Sequence, residues 1–244
     1  IFEKSQFSID LKNHTQEDGN DLDSYLDRLF AIMNQPFAER DAALPKHLAD
    51  FPYVNGGLFR HLHHAPRFSR KSRTLLLECG DLDWAAINPD IFGSMIQAVV
   101  TPEHRGGMGM HYTSVPNIMK VIEPLFLNEL KEEFENAKGN LKKINELLKR
   151  IWRIKIFDPA CGSGNFLIIA YKELRKLEMA IFKEIDRINQ TFSTQFSGIQ
   201  LNNFYGIELD DFAHEVATLS LWLAEHHMNQ LFFREFGRGK PALP

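Results

Sequence analysis

The chain has 244 residues, of which 44% are hydrophobic and 25% are charged, which is the composition of an ordinary globular protein. The formal net charge of −4 excludes a protein that holds nucleic acid by bulk positive charge alone. Two cysteines are too few for a disulfide framework, so we expect a reducing, cytoplasmic setting. No apolar run approaches the ~20 residues of a membrane helix, and no membrane partner is expected.

The first hundred residues carry helical signals without strand alternation. Asn20-Asp21 can cap a helix that Pro36 interrupts, and Asn88-Pro89 is typical of the start of a later helix. The first of these helices has one apolar face, formed by Leu22, Leu26, Leu29, Phe30 and Met33. A glycine-rich break follows, so we predict a mainly helical connector domain over residues 1–104 and a second domain over residues 105–244.

The second domain opens with more helix. Residues 115–148 repeat apolar positions at helical spacing, with Pro124 as a kink. The sequence Lys138-Gly139-Asn140 predicts the turn of a helical hairpin, whose charged residues form its solvated face.

A parallel α/β unit is predicted after this hairpin. The short β-branched run Ile154–Phe157 indicates a buried strand, and a helix begins near Asn165. A second strand is expected over Phe204–Leu209, followed by a helix over Asp210–His227. The order strand, glycine loop, helix, strand, helix predicts an α/β fold.

The loop after the first strand reads Asp158-Pro159-Ala160-Cys161-Gly162-Ser163-Gly164. Its glycines allow the backbone to approach a ligand closely. Leu167 stands where a dinucleotide fingerprint has its third glycine, and Asp158 would repel a diphosphate. A carboxylate at this position suits a ligand with hydroxyl groups and a cationic amino group.

Glu208 ends the second predicted strand, where such folds place a carboxylate that accepts hydrogen bonds from ribose hydroxyls. The alternative is that Glu208 caps the following helix, a function for which Asp210 and Asp211 compete. From these residues alone both interpretations stay open, and the glycine loop favours the ligand.

The loop resembles motif I of S-adenosylmethionine-dependent DNA methyltransferases, Asp-Pro-x-x-Gly-x-Gly-x-Phe. Upstream, Gly109-Met110-His111-Tyr112-Thr113-Ser114 resembles motif X of the amino-methyltransferases, with Ser114 where proline is common. Thr113 or Ser114 also suits the N-cap of the next helix. Motif X before motif I resembles the methyltransferase core of single-chain type IIG/IIL restriction–modification enzymes. Further stretches that look like this family include Phe51–Phe59, Val121–Phe126 and Phe204–Glu208.

This resemblance implies a Rossmann-like class I methyltransferase core, present in part, with S-adenosyl-L-methionine as cofactor. It assigns cofactor binding to His111, Tyr112, Thr113, Asp158, Pro159, Ala160, Cys161, Gly162, Gly164, Asn165, Phe166, Glu208 and Leu209. The implied reaction is methyl transfer to N6 of an adenine that is flipped out of duplex DNA.

The chain departs from the family at the catalytic loop. No two prolines are adjacent, so the (Asn/Asp/Ser)-Pro-Pro-(Tyr/Phe) motif is absent and we assign no catalytic residue. Both termini indicate an internal piece of a longer protein that is cut before this loop. We therefore expect no methylation by this chain alone. A DNA-recognition region after Pro244 and a fused nuclease before the connector are further expectations.

Two alternative functions stay open, and a third is remote. A phage-exclusion methyltransferase carries similar motifs without a fused nuclease, and a non-catalytic Rossmann-like scaffold would only pack against partners. A nicotinamide-dependent oxidoreductase is remote because of Asp158 and Leu167. No metal site is predicted: His61, His63, His64 and Cys79 match no standard zinc spacing and lie in a basic run.

Overall fold

The structure is a computed structural model that describes residues 5–54, 59, 64–82, 91, 113–191 and 196–237. The chain divides into two compact units, Ile1–Ile87 and Asn88–Pro244. The predicted boundary between residues 104 and 105 lies outside the described residues and stays a prediction.

The regular elements in the described part of the first unit are all helices. Its helices are α1 (Gln6–His14), α2 (Leu22–Met33), α3 (Lys46–Ala49) and α4 (Arg70–Gly80), with a 3-10 turn at Phe37–Glu39. As predicted, α2 follows Asp21, ends before Pro36 and buries one stripe of apolar residues, although Phe30 is only half-buried and Ile32 is buried as well. Two small cores result, one around Leu11, Leu22 and Leu26, and one around Leu29, Ile32, Met33, Leu48 and Phe51. Each fully buried side chain of this size contributes about 2 kcal/mol.

Helices also open the described part of the second unit. They are α5 (Val115–Ile122), α6 (Asn128–Ala137) and α7 (Leu141–Trp152), with the π-helical segment Glu123–Leu127 between α5 and α6. This segment contains Pro124, which confirms the predicted irregularity there. Gly139, at φ +77°, turns the chain between α6 and α7, as the sequence predicts.

The parallel strand pair is β1 (Ile156–Asp158) and β2 (Phe204–Gly206), with Phe157 opposite Tyr205. Between them lie α8 (Asn165–Asn189) and a 3-10 turn at Leu201–Asn203, and α9 (Asp211–Phe236) follows β2. β1 is shifted towards the glycine loop and β2 ends at Gly206, because only three residue pairs form ladder partners. The prediction that the first strand is buried is wrong, since Phe157 is 60% exposed on this two-stranded sheet. The last helix continues nine residues past His227 to Phe236.

Helix α8 is the centre of the second unit's core and packs against α5, α7 and α9. Its predicted apolar positions are buried, except Phe166, which is half-buried. Tyr171 meets Phe204 of β2 edge to face, with ring centroids 5.4 Å apart. This contact fixes the strand pair, and hence the strand ends, against the helix.

The first part of helix α9 buries small side chains, whereas its second part buries Met228 and Phe232. Ala213, Ala217, Ser220 and Ala224 face the core, while Phe212 and Trp222 are exposed. At Ala217 the reason is steric, because this residue lies against Gly164 of the glycine loop. Within the described residues, no helix is long and apolar enough to cross a membrane.

Candidate cofactor site

The loop between β1 and α8 continues the pairing of the two strands. Ile207 N–H donates to Asp158 O at 3.0 Å, and Cys161 N–H donates to Ile207 O at 3.0 Å. Gly164 N–H then donates to Cys161 O at 2.8 Å and closes the turn into α8. Backbone hydrogen bonds on both sides therefore hold the loop at the carboxyl ends of the strands, which is where open α/β sheets bind ligands.

Both glycines of the loop have left-handed backbone conformations, with φ +53° at Gly162 and φ +82° at Gly164. Their surroundings differ. A Cβ at Gly164 would lie 3.1 Å from Cβ of Ala217, so this glycine allows α9 to approach. A Cβ at Gly162 would meet nothing within 4 Å, so the backbone there borders open space.

Glu208 lies directly after β2 and turns its carboxylate onto the loop. Its Oε2 accepts the Gly162 N–H at 2.7 Å. Its Oε1 accepts the N–H groups of Leu209 at 2.8 Å and Asp210 at 3.0 Å. The N-cap of α9 is instead Asp210, whose Oδ1 accepts the Ala213 N–H at 2.7 Å. Glu208 is thus not the helix cap, and it joins the second strand to the glycine loop.

Asp158 ends β1, and its Oδ1 accepts the Ala160 N–H at 3.1 Å. Pro159 and Ala160, which follow it, are exposed. The site therefore presents two half-buried carboxylates, Asp158 and Glu208, on either side of an open backbone at Gly162. Such a site favours hydroxyl or ammonium donors and repels anionic groups.

Cys161 lies between these carboxylates. Burial raises the pKa of its thiol, and the charges of Asp158 and Glu208 raise it further. The thiol therefore stays protonated near neutral pH, which disfavours a nucleophilic function. Its side chain packs against Gly206, where a Cβ would lie only 2.7 Å from Sγ.

The start of α8 forms the inner wall of the loop. Leu167, which replaces the third glycine of a dinucleotide fingerprint, is 2% exposed and belongs to the core. Asn165 is 7% exposed, and its Oδ1 has no hydrogen-bond partner among the described residues. Phe166 packs against the same core and is half-buried.

The structure brings together the predicted site residues from Asp158 to Phe166 with Glu208 and Leu209. Of the upstream group, His111 and Tyr112 lie outside the described residues. Thr113 is half-buried just before Ser114, which occupies the N-cap position of α5. Sequence reasoning missed Gly206 and Ala217, whose small size allows the loop to pack. A glycine inside a strand was the available signal for the first of them.

A parallel strand pair with a glycine loop, a helix and a carboxylate after its second strand defines an α/β protein with a candidate ligand site at the sheet's carboxyl edge. Residues 134–244 match the family model for MmeI, DNA-methyltransferase domain, and residues 1–59 match the model for MmeI, helicase spacer domain.

Curated relatives and a solved structure agree with these models. DNA methyltransferase A of Bacillus subtilis (strain 168) is 51% identical over 246 residues, covering 100% of this chain and 28% of that protein. A putative type II restriction enzyme and methyltransferase of Methanocaldococcus jannaschii is 31% identical over 271 residues, covering 92% of this chain and 23% of that protein.

The solved structure is that of the type IIL restriction-modification enzyme MmeI in complex with DNA. It is 41% identical to this chain, with a TM-score of 0.84, and the match covers 100% of this chain and 33% of the MmeI chain. The chain thus spans about a quarter of the length of the curated relatives that it matches. Two parts of the chain thus match two domains of MmeI, and the whole chain aligns with a part of restriction–modification and DNA methyltransferase proteins. This confirms the resemblance to a restriction–modification methyltransferase that its motifs indicate.

Proposed function

We propose that this chain holds the S-adenosyl-L-methionine pocket of a DNA (adenine-N6)-methyltransferase with a Rossmann-like class I core. The observation that carries the proposal is the hydrogen bond from Gly162 N–H to Glu208, which joins the glycine loop to the end of β2. This contact sets a carboxylate beside open backbone, where a nucleoside with two hydroxyl groups fits.

The residues present suit this cofactor. Glu208 accepts hydrogen bonds from the ribose hydroxyls, and Asp158 offers its carboxylate to the ammonium group of the methionine part. The open space at Gly162 admits the ligand without a steric barrier. The bound cofactor supplies the methyl group, and Cys161, protonated and packed on Gly206, takes no part in the transfer.

Glu208 already accepts three backbone N–H groups, and a carboxylate offers about four lone-pair sites. Ribose therefore competes with at least one of these donors, and the Gly162 N–H borders the open space. We infer that the loop shifts at Gly162 when the cofactor binds, while Leu209 and Asp210 keep their bonds to Oε1.

Isothermal titration calorimetry with S-adenosylmethionine tests the pocket. We expect saturable binding that Asp158→Ala and Glu208→Gln each weaken by about tenfold or more, the worth of a charge-assisted hydrogen bond. Glu132→Ala, an exposed carboxylate on α6, is the matched control and should bind as the parent does. The proposal would be overturned if Asp158→Ala and Glu208→Gln both bound S-adenosylmethionine as the parent does, or if the folded parent chain did not bind it. Either result would favour the non-catalytic scaffold.

The proposed substrate is an adenine in double-stranded DNA, flipped out of the helix so that its amino group is reached. This sequence has no adjacent prolines to form the loop that holds such a base, and its net charge is −4. We therefore propose that the 244-residue chain alone neither methylates DNA nor binds it tightly. Incubation with methyl-labelled cofactor and duplex DNA measures this, and label transferred to adenine would contradict it.

A further inference from the structure

A second cluster of chemistry-bearing residues lies in the first unit, apart from the glycine loop in sequence. Asp10 and His14 are one turn apart on α1, and His47 comes from α3. One potential ligand atom from each residue lies within 4.8 Å of the others. The sequence spacing of these three residues matches no standard zinc-binding motif, because residues 14 and 47 come together only in the folded chain.

Asp10 carries the strongest signal. The residue is only 6% exposed, and its Oδ2 accepts a hydrogen bond from the Tyr25 hydroxyl at 2.6 Å. Its Oδ1 is buried without a hydrogen-bond partner among the described residues. The His14 Nδ1 atom lies 3.1 Å from this oxygen, but its hydrogen bond goes to the Asp10 main-chain oxygen at 2.9 Å. A buried carboxylate oxygen without a donor is costly unless a cation approaches it.

Tyr25 holds the carboxylate in this orientation. Its hydroxyl donates to Asp10 Oδ2 and so occupies that oxygen. Oδ1 is left for another partner. Hydrogen bonds of this kind, made by residues that do not bind the ion themselves, commonly orient the ligands of a metal site.

The two imidazoles complete the group. The His14 and His47 rings are stacked, with centroids 3.7 Å apart and planes 7° from parallel. The His14 side chain is 35% exposed, so water reaches the cluster from one side. A shared ion requires one ring to turn from the stack, since each nitrogen lone pair lies in its ring plane. Rotation about the terminal side-chain torsion, which is soft, supplies this turn.

We propose that Asp10, His14 and His47 bind one divalent transition-metal ion of the zinc class, with water as a further ligand. Two imidazoles and one carboxylate are a ligand set that zinc accepts, and three protein ligands leave an open position. Arg28 lies close enough to act on Tyr25 electrostatically, so one positive charge opposes the ion. The bound ion would tie α1 to α3 within the first unit.

Titration of the chelator-treated chain with zinc chloride tests this site. We expect one ion per chain, release of protons on binding, and a higher melting temperature in the presence of zinc. His47→Gln and Asp10→Asn should each lower the zinc affinity by about tenfold or more. The matched control is His64→Gln, since His64 is 93% exposed and pairs with Asp27 in the same unit.

Asp10→Asn also disturbs the hydrogen bond from Tyr25, so the decisive variant is His47→Gln. Without zinc, the far-ultraviolet circular dichroism of His47→Gln must match that of the parent chain. Zinc binding that survives His47→Gln but is lost in His64→Gln would assign the ion to other histidines and overturn the proposal. Absence of saturable binding by the folded parent chain would overturn it as well. Neither result bears on the proposed cofactor pocket, because that pocket is tested separately by the binding of S-adenosylmethionine.

Discussion

At the scale of single residues, the site depends on two glycines that serve different purposes. Gly164 lies against Ala217 of α9, where a Cβ would be 3.1 Å from the Ala217 Cβ. Gly162 borders open space on the side from which a ligand would enter. Gly164 therefore serves packing, and in the proposed pocket Gly162 leaves the backbone open to the ligand.

These purposes separate under substitution. Gly162→Ala should cost about 1–2 kcal/mol from its left-handed backbone alone, and it should weaken cofactor binding. Gly164→Ala should cost about 1–3 kcal/mol more, because overpacking against Ala217 adds to the same strain. Urea unfolding measures both. Adding Ala217→Gly should restore part of the stability lost in Gly164→Ala and none of that lost in Gly162→Ala; equal rescue of both would contradict this assignment.

At the scale of elements, a buried polar network holds the segment before β2 in place. Glu178 Oε1 accepts the Trp152 indole N–H at 2.6 Å and the Gly198 N–H at 2.9 Å. Arg175, whose Nε lies 3.3 Å from Glu178 Oε2, donates in turn to Tyr171 and Asn229. The network joins α7, α8 and α9 to the chain that leads into β2, and so it supports the position of Glu208.

Removing one donor tests this network. Trp152→Phe should destabilise the chain by about 1–3 kcal/mol, because the fully buried Glu178 loses a charge-assisted hydrogen bond. Trp222→Phe is the control, since Trp222 is 41% exposed on α9. Chemical unfolding monitored by circular dichroism gives both values. Equal, small effects would show that the indole contributes packing only.

A second tie between elements depends on pH. Glu184 of α8 accepts hydrogen bonds from Arg187 and from the Gly139 N–H of the α6–α7 turn, and these lower its pKa from 4.5 to about 2. Because the pKa of Glu184 is lowered in the folded chain, its ionised carboxylate stabilises the fold fully at pH values above the ordinary pKa of 4.5. This contribution is lost as the pH falls towards about 2.

Glu184→Gln should therefore be less stable than the parent at pH 7, and the difference should shrink between pH 4.5 and about 2. Urea midpoints measured across this range give the result. Arg187→Gln should reproduce part of the loss at pH 7, and the double variant should show less than the sum. A difference that is the same at pH 7 and pH 2.5 would refute the proposed ion pair.

At the scale of the whole molecule, each of the two units has its own buried core. The two proposed ligands belong to different units, the cofactor to the second and the metal ion to the first. The two-stranded sheet also exposes Phe157 and Tyr205, a register pair on one face, next to the proposed cofactor site.

Hydrogen–deuterium exchange separates the two sites in one experiment. S-adenosylmethionine should slow exchange in residues 158–164 and in β2, because binding favours the ordered state of the loop. Zinc should slow exchange in α1 and α3. Protection of α1 by the cofactor, or of the glycine loop by zinc, would contradict the assignment of either site.

Local chemistry explains which elements the sequence predicts well. Asp21 and Pro36 bracket α2, Gly139 turns the α6–α7 hairpin, and the glycines before Asn165 start α8. Each of these signals acts within a few residues, so no distant contact is needed to interpret it. The lengths of β2 and α9 differ from prediction, because strand pairing and helix packing set them.

The sequence by itself determined the order of elements from α5 to α9, the glycine loop, the family motifs and the acidic residue at the end of the second strand. Only the tertiary structure decided that Asp210 caps α9 while Glu208 accepts the Gly162 N–H, because both carboxylates lie close before the helix in sequence and either could have turned onto it. It also brought His47 beside Asp10 and His14. The physical reason is common to both cases. Hydrogen bonds and ligand contacts depend on distances in space, and folding alone brings together residues that are far apart along the chain.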